Sequence, residues 1–207
     1  MTKGKSIEIT QEYEDWVKEN LRYDPDTGYL WWVKQNIIGT RPRNLDYPAG
    51  AKSLGYLILN IYLPDKATTL RCHRIAWFLH YGVWPKKHID HINGIKDDNR
   101  IMNLREANPS ENGGNSIKRK NYGGKPSTSR YKGVSLYRPT NRWVANIMVN
   151  GKAIYLGYYD NQEEAALAYN KAALEHFGEY AKINIIEPLD TGMTNTYISS
   201  SSGELTY

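Results

Sequence analysis

His88-Ile89-Asp90-His91-Ile92-Asn93-Gly94, followed by Asp98-Asn99-Arg100, Asn103-Leu104-Arg105 and Glu111-Asn112, is the most informative stretch of this chain. An Asp-His pair precedes two amide side chains: Asn103 stands twelve residues after His91, and Asn112 nine further on. A carboxylate, an imidazole and two amides so spaced suit one divalent cation held beside one general base. The flanks supply the frame. Asn108-Pro109-Ser110-Glu111 is a well-formed helix start, with Asn as N-cap, Pro at the first position and Glu at the third. Asn112 then sits in the first turn of that helix. His88 to His91 and Leu104 to Ala107 read as short strands, which makes the order strand, loop, strand, helix.

This ordered set resembles the HNH (ββα-metal) nuclease motif, in the version found in phage and intron-encoded homing endonucleases. Upstream, the segments YDPDTGYLWW, GYLILNIYL and HRIAWFLHYGVWP resemble the N-terminal part of phage HNH endonucleases. The resemblance therefore covers roughly residues 20 to 116. It implies that Asp90 and Asn112 hold a divalent metal ion, Mg²⁺ or alternatively Mn²⁺. It implies that His91 deprotonates the attacking water, while Asn103 fixes the loop and orients His91 without touching substrate. The implied protein is a metal-dependent DNA endonuclease that leaves 5′-phosphate and 3′-hydroxyl ends, working in the cytoplasm of a phage-infected bacterial cell. One departure is clear. Cys72 is the only cysteine, so the paired CxxC zinc knuckles of some relatives are missing, and so is any intrachain disulfide.

Each residue also has a plainer reading. An isolated histidine on a short strand is usually structural, but His91 comes with Asp90, Asn103 and Asn112. Asn112 could be a helix-start residue only, yet Asn108 already caps that helix. Asn99 reads as closing the Asp97-Asp98-Asn99 turn, with the two aspartates as turn residues in preference to a second metal site. A zinc reading of His88 needs two further ligands that are not apparent. His73 and His80, seven residues apart on one helix face, read as packing or phosphate-contacting groups.

The net charge of +5 makes a polyanion the natural partner class, and its distribution sharpens that expectation. No Asp or Glu occurs from Gly113 to Lys152, a stretch that carries nine Lys and Arg. Such a one-sided block reads as a phosphate-contacting surface. No apolar run approaches the ~20 residues that span a membrane, and Met1-Thr2-Lys3-Gly4-Lys5 opens no signal peptide. After Ser129 three strand-like runs are separated by Pro139-Thr140-Asn141 and Asn150-Gly151. A helix capped by Asn161 follows, with Ala165, Ala168, Tyr169, Ala172, Ala173 and Phe177 as its apolar stripe.

Tyr131-Lys132-Gly133-Val134, Arg142-Trp143, Tyr155-Leu156-Gly157 and Glu164 to Tyr169 closely resemble the Apetala/ethylene-response-factor DNA-binding domain of plants, also found fused to phage HNH nucleases. The resemblance implies a sheet that enters the major groove of double-stranded DNA. Lys132, Ser135 and Tyr137 on the first strand, and Lys152 and Tyr155 on the third, match its DNA-facing positions. Alternation turns Arg142, Val144, Asn146 and Met148 outward on the second strand. Lys118, Arg119, Lys120, Arg130 and Arg138 complete the expected DNA-binding set. Positions that carry Arg in the plant domains are here Ser135, Tyr137, Met148 and Ala153, so the plant recognition sequence does not transfer.

The expected fold class is α+β. Residues 1–112 would form an N-terminal ββα-metal (HNH/His-Me finger) nuclease domain, with a helix from about Thr10 to Leu21, strands Tyr29 to Val33 and Gly55 to Leu63, and a helix His73 to Tyr81. Residues 113–129 would be a basic flexible linker, and 130–187 a small three-stranded antiparallel sheet packed on one helix. Residues 188–207 would be a disordered tail. No obligate protein partner is evident. The competing function is a DNA-binding regulator that does not cut, against which the intact Asp90, His91, Asn103 and Asn112 stand. An RNA-binding or structural role on the same scaffold has no positive feature behind it.

Overall fold

Tyr13, Val17 and Asn20 recur at helical spacing, and Gln11–Asn20 (α1) folds as a helix that buries all three. The computed structural model describes residues 9–186, apart from 36, 39, 40, 64, 65, 119 and 123. Arg119 and the expected disordered tail lie outside the described residues. Glu12 and Glu14 sit in the first turn of α1, where the helix dipole favours them. Thr10 occupies the N-cap, but its side chain makes no capping bond.

The chain leaves α1 straight into β1 (Leu21–Tyr23), a strand without a sequence signal of its own. It pairs antiparallel with β2 (Leu30–Trp32). Asp24 organises the turn between them by accepting from the amides of Asp26 and Thr27 at 3.0 and 3.3 Å. Gly28 closes the turn with φ +77°, and a Cβ there would lie 2.4 Å from the Arg100 nitrogen. Only glycine allows that approach. The loop 98–101 is further pinned to this hairpin by Ile101 N–H donating to Pro25 O at 3.1 Å.

A short pair, β3 (Ile37–Ile38) with β4 (Arg41–Pro42), comes next. Then β5 (Ala51–Ser53), β6 (Tyr56–Leu63) and β7 (Lys66–Arg71) form an antiparallel sheet in that order. Helix α2 (Cys72–Tyr81) follows, closed by Gly82. Val17, Leu21, Leu30, Ile61, Ile75 and Phe78 join α1, both sheets and α2 in one buried cluster. Strand β8 (His88–His91) pairs antiparallel with β9 (Leu104–Ala107) after a single turn of 3₁₀ helix, Ile101–Asn103. Helix α3 (Pro109–Gly114) opens with the expected capping box: Asn108 accepts from Ser110 and Glu111 amides, and Glu111 accepts from the Asn108 amide at 2.7 Å.

The stretch read as a linker carries structure. Gly113 and Gly114 are the last residues of α3, and β10 (Asn121–Tyr122) pairs with β11 (Lys125–Pro126). Beyond it, β12 (Val134–Tyr137), β13 (Arg142–Val149) and β14 (Lys152–Tyr159) form the second three-stranded antiparallel sheet, in sequence order. Helix α4 (Gln162–Phe177), capped by Asn161, leads into a 3₁₀ turn, Gly178–Tyr180. Val134, Ala145 and Ile147 share two buried clusters with Ala165, Ala166, Tyr169, Ala173 and Phe177 of α4. Small alanines let the helix axis lie close to the strands. The whole is a mixed α+β architecture of small antiparallel sheets. No helix among the described residues is long and apolar enough to cross a membrane.

Candidate active site

Strand β8 carries Asp90 and His91 into a junction with β9, α3 and the loop after them, and both are buried. Register sets Asp90 opposite Arg105. The Arg105 Nε donates to Asp90 Oδ2 at 3.0 Å, and the Asn115 amide donates to Oδ1 and Oδ2 at 3.1 and 3.0 Å. The same Asn115 nitrogen donates to the His91 carbonyl at 2.7 Å. A carboxylate only 4% exposed needs such partners, because an unpaired buried charge is strongly unfavourable.

The His91 Nε2 lies 3.0 Å from Asn99 Oδ1. With the Asn99 amide oxygen turned towards the ring and its Nδ2 buried without a partner, the matching neutral tautomer has its proton on Nε2 and its lone pair on Nδ1. Burial, the largest influence, lowers the His91 pKa below that of an ordinary imidazole. The Asn99 hydrogen bond and the carboxylates of Asp90, Asp98 and Asp97 oppose this without overcoming it. The ring is therefore neutral near pH 7, with one nitrogen able to take a proton. Asn99 is in turn held by Tyr23, whose hydroxyl donates to its carbonyl at 2.7 Å. Burial raises the pKa of that hydroxyl and keeps it protonated.

Asp90 and His91 open onto a cleft of about 290 Å³ that Tyr56, Lys96, Asn112, Asn115 and Ser116 also line. At its rim Tyr56 is flanked by two cations, the Arg71 guanidinium 4.2 Å and the Lys96 ammonium 4.9 Å from the ring centre. His73 lies behind, its ring 5.1 Å from that of His91. Burial, the proximity of His91 and the nearby Arg71 and Arg74 push its pKa down to about 3, so it is a neutral packing group. His73 is too deep to touch a phosphate.

The second sheet turns a different surface outward. The register shift between Ala145 and Asn146 pairs Asn146 with Tyr155 and Val144 with Tyr158, so both tyrosines lie on one face. Tyr137 and Tyr155 flank Tyr158, each with ring centres 5.5 Å away. Ser135, Tyr137, Arg142, Met148, Lys152 and Tyr155 are exposed, and Asn146 is half-buried.

These two surfaces coincide with two separate family matches. An HNH endonuclease model matches residues 71–113, and an AP2 domain model matches residues 129–179. The chain carries an HNH endonuclease domain followed by an AP2 domain. Among curated proteins it is 40% identical over 70 residues to the AP2-like ethylene-responsive transcription factor TOE2 of Arabidopsis thaliana, covering 34% of this chain and 14% of that protein. It is 44% identical over 62 residues to APETALA2-like protein 2 of Oryza sativa subsp. indica, covering 30% and 14%. It is 41% identical over 71 residues to the ethylene-responsive transcription factor WRI1 of Arabidopsis thaliana, covering 33% and 16%. The chain thus spans only a small part of the length of these relatives. No solved structure matches.

Within the HNH domain, Asp90, His91 and Asn112 meet at one cleft, while Asn103 stands behind it. The Asn103 Oδ1 accepts from the Asn93 amide at 3.0 Å, its Nδ2 donates to Asp98 O at 2.7 Å, and its carbonyl accepts from the Ile92 amide at 2.9 Å. These bonds tie Asn103 to the loop, and the side chain that meets the imidazole belongs to Asn99. The turn role assigned to Asn99 falls to Asp98, whose carboxylate accepts from Arg100 Nε, Arg100 Nη2 and Asn93 Nδ2 at 2.8, 2.6 and 2.7 Å. Asp97 is ion-paired with Lys52 at 2.6 Å. His88 and His80 are exposed. No group of three or more His, Cys, Asp or Glu side chains suited to a metal occurs among the described residues. The oxygen donors that line the cleft are the Asp90 carboxylate and the amide oxygens of Asn112 and Asn115, hard ligands of the kind that suit a divalent cation.

Sequence reasoning missed Asn99, Arg105, Asn115, Tyr56, Arg71 and Lys96. Two expected DNA contacts, Lys132 in the AP2 domain and Lys118 ahead of it, point elsewhere. Lys132 precedes β12, and its ammonium donates to the carbonyls of Gly113 and Gly114 at 3.2 and 2.6 Å. Burial, with Lys182 nearby, lowers its pKa to about 8. Lys118 is half-buried and donates to Val134 O at 3.3 Å. Lys120, Arg130 and Arg138 are exposed. Arg130 pairs with Glu163 at 3.3 Å and Arg142 with Asp160 at 3.2 Å, leaving both near the surface.

Proposed function

We propose that this protein is a metal-dependent DNA endonuclease of the homing type, in which a ββα-metal site formed by β8, β9 and α3 cuts the duplex that the AP2 sheet binds. The observation that carries the reading is the neutral His91 ring beside Asp90, both lining one cleft with Lys96 and Asn112, while Arg71 lies against Tyr56 of the same lining. In this reading His91 Nδ1 takes the proton of the attacking water, and Asn99, accepting from Nε2, steadies the imidazolium that forms. Arg71 and Lys96 hold the flanking phosphates. Asp90 and Asn112 would hold a divalent cation, Mg²⁺ or Mn²⁺, which would supply charge neutralisation at the phosphate and the leaving oxygen. The ends formed are a 5′-phosphate and a 3′-hydroxyl.

The exposed sheet face and the basic residues beside it take the DNA. Ser135, Tyr137, Arg142, Asn146, Lys152 and Tyr155 meet the major groove, while Lys120, Arg130 and Arg138 meet phosphates. The transcription-factor names of the AP2 relatives favour a second reading, a regulator that binds without cutting. Purified protein incubated with supercoiled plasmid decides between them. Nicked or linear product with Mg²⁺ and none with EDTA is expected. Bound but intact plasmid under both conditions contradicts the nuclease reading and leaves the regulator.

A further inference from the structure

The Arg105 guanidinium faces two ways. Its Nε holds Asp90 in the HNH domain, while its Nη1 donates to the Glu179 carbonyl at 3.0 Å and its central carbon Cζ lies over the Tyr180 ring, 4.0 Å from the ring centre. Glu179 and Tyr180 form the 3₁₀ turn that ends the AP2 domain's helix, far along the chain from Arg105. Tyr180 is itself anchored, its hydroxyl donating to Glu106 O at 3.0 Å on the strand that carries Arg105. The join continues on either side. The Lys182 amide donates to Gly114 O at 3.0 Å, and a Cβ at Gly114 would lie 2.7 Å from the Phe177 ring. The Asn150 amide, at the β13–β14 turn, donates to Ser110 Oγ at 2.9 Å.

We propose that this turn of the AP2 domain is a working part of the nuclease centre: Tyr180 positions Arg105, and Arg105 positions the Asp90 carboxylate. The reason lies in the freedom of the groups concerned. Asn115 Nδ2 reaches both Asp90 oxygens from one side, and the Arg105 Nε bond on Oδ2 holds the carboxylate from the other side only if the guanidinium is itself fixed. Stacking on Tyr180 and the bond to Glu179 O remove that freedom from the side opposite Asp90. The cutting site is therefore complete only with the AP2 domain docked. The proposal rests on the nuclease reading for its catalytic consequence, but the Arg105 clamp is a physical arrangement that can be observed without cleavage.

The test compares full-length wild type with Tyr180→Ala and Tyr180→Phe by three measurements. DNA affinity without metal should be alike in all three, because Tyr180 lies on the helix side of the sheet, away from its exposed face. The cleavage kcat of Tyr180→Ala should fall about 10–100-fold, the usual cost of losing a group that orients a metal ligand, with KM for DNA little changed. Tyr180→Phe keeps the ring over Arg105 and should recover most of the rate. The third reading is the Arg105 Nε–H signal in ¹⁵N NMR, assigned with Arg105→Lys. It should be sharp and protected from exchange in wild type and Tyr180→Phe, and lost in Tyr180→Ala while the backbone spectrum stays folded. An unchanged Arg105 signal or an unchanged kcat in Tyr180→Ala overturns the proposal. If Tyr180→Ala unfolds, Tyr180→Leu, which retains bulk without a π face, takes its place with the same expected losses. A wild type that never cuts DNA overturns the nuclease reading instead, and the Arg105 signal still decides the clamp.

Discussion

Asn99 marks the limit of what a motif can say about single residues. Asp90, His91, Asn103 and Asn112 stand out in the sequence because their types and spacing form a recognisable set, and Asp90, His91 and Asn112 line one cleft. Asn99 was read as a turn residue, yet it is almost fully buried against the imidazole. Which of several adjacent polar residues turns inward depends on the loop's tertiary course, set here by Tyr23 and Gly28 some seventy residues upstream. Asn99→Ala should therefore lower kcat on the order of 10²-fold or more by freeing the His91 tautomer and ring. Asn99→Asp, which still accepts from Nε2, should restore part of the rate. Equal rates for Asn99→Ala and wild type, measured on plasmid, would remove Asn99 from the mechanism. His73 belongs to the same scale. Its folded pKa, near 3, lies below the ~6.5 of an exposed imidazole, so the unfolded chain binds the extra proton first. Its contribution to stability is complete above about pH 6.5 and is lost as pH falls from there towards 3, at up to ~1.4 kcal/mol per pH unit. Denaturant unfolding from pH 7 to pH 4 should show a shallower acid decline in His73→Leu than in wild type.

At the scale of elements, local rules carried most of the reading. The Asn108 capping box, the Asn150-Gly151 turn and the Asn161 cap all stand where their residue types place them. Strands β1 and β7 were not legible. The first has three residues and follows a helix with no turn between, and the second, Lys66–Arg71, is defined by its pairing with β6 instead of by any apolar run. Thr10 has the position of a cap without its hydrogen bond, since residue type alone does not set a rotamer. The β1–β2 turn matters beyond its own hairpin, because Gly28 is pressed on the Asn99–Arg100 backbone. Gly28→Ala combines a disfavoured φ with an overlap against main chain. It should cost ~2 kcal/mol or more in stability and should also slow cleavage by displacing Asn99. Thermal unfolding and plasmid cleavage on the same preparation check both. A fully stable Gly28→Ala protein with normal cleavage would mean that the hairpin does not support the site.

For the molecule as a whole, two modules were evident in the sequence, from the shift in composition and from two sets of signatures. How they meet was not. The segment between them is rich in glycine and basic residues and reads as a tether. Most contacts in the join pair a side chain, Arg105, Lys132 or Ser110, with a main-chain group, the carbonyls of Glu179, Gly113 and Gly114 or the amide of Asn150, and main-chain groups leave no trace in residue type. The proposed function at this scale is a division of labour between a sheet that would hold DNA and a cleft that would cut it. The division is tested most directly by measuring binding and cleavage of one duplex by wild type and His91→Ala at the same Mg²⁺ concentration and pH. Equal affinity is expected, with cleavage slower by about 10²–10⁴-fold in the variant, because a general base acts on water and adds little to ground-state binding. Undiminished cleavage by His91→Ala, or no cleavage by either protein despite tight binding, would contradict the assignment of this site as a nuclease.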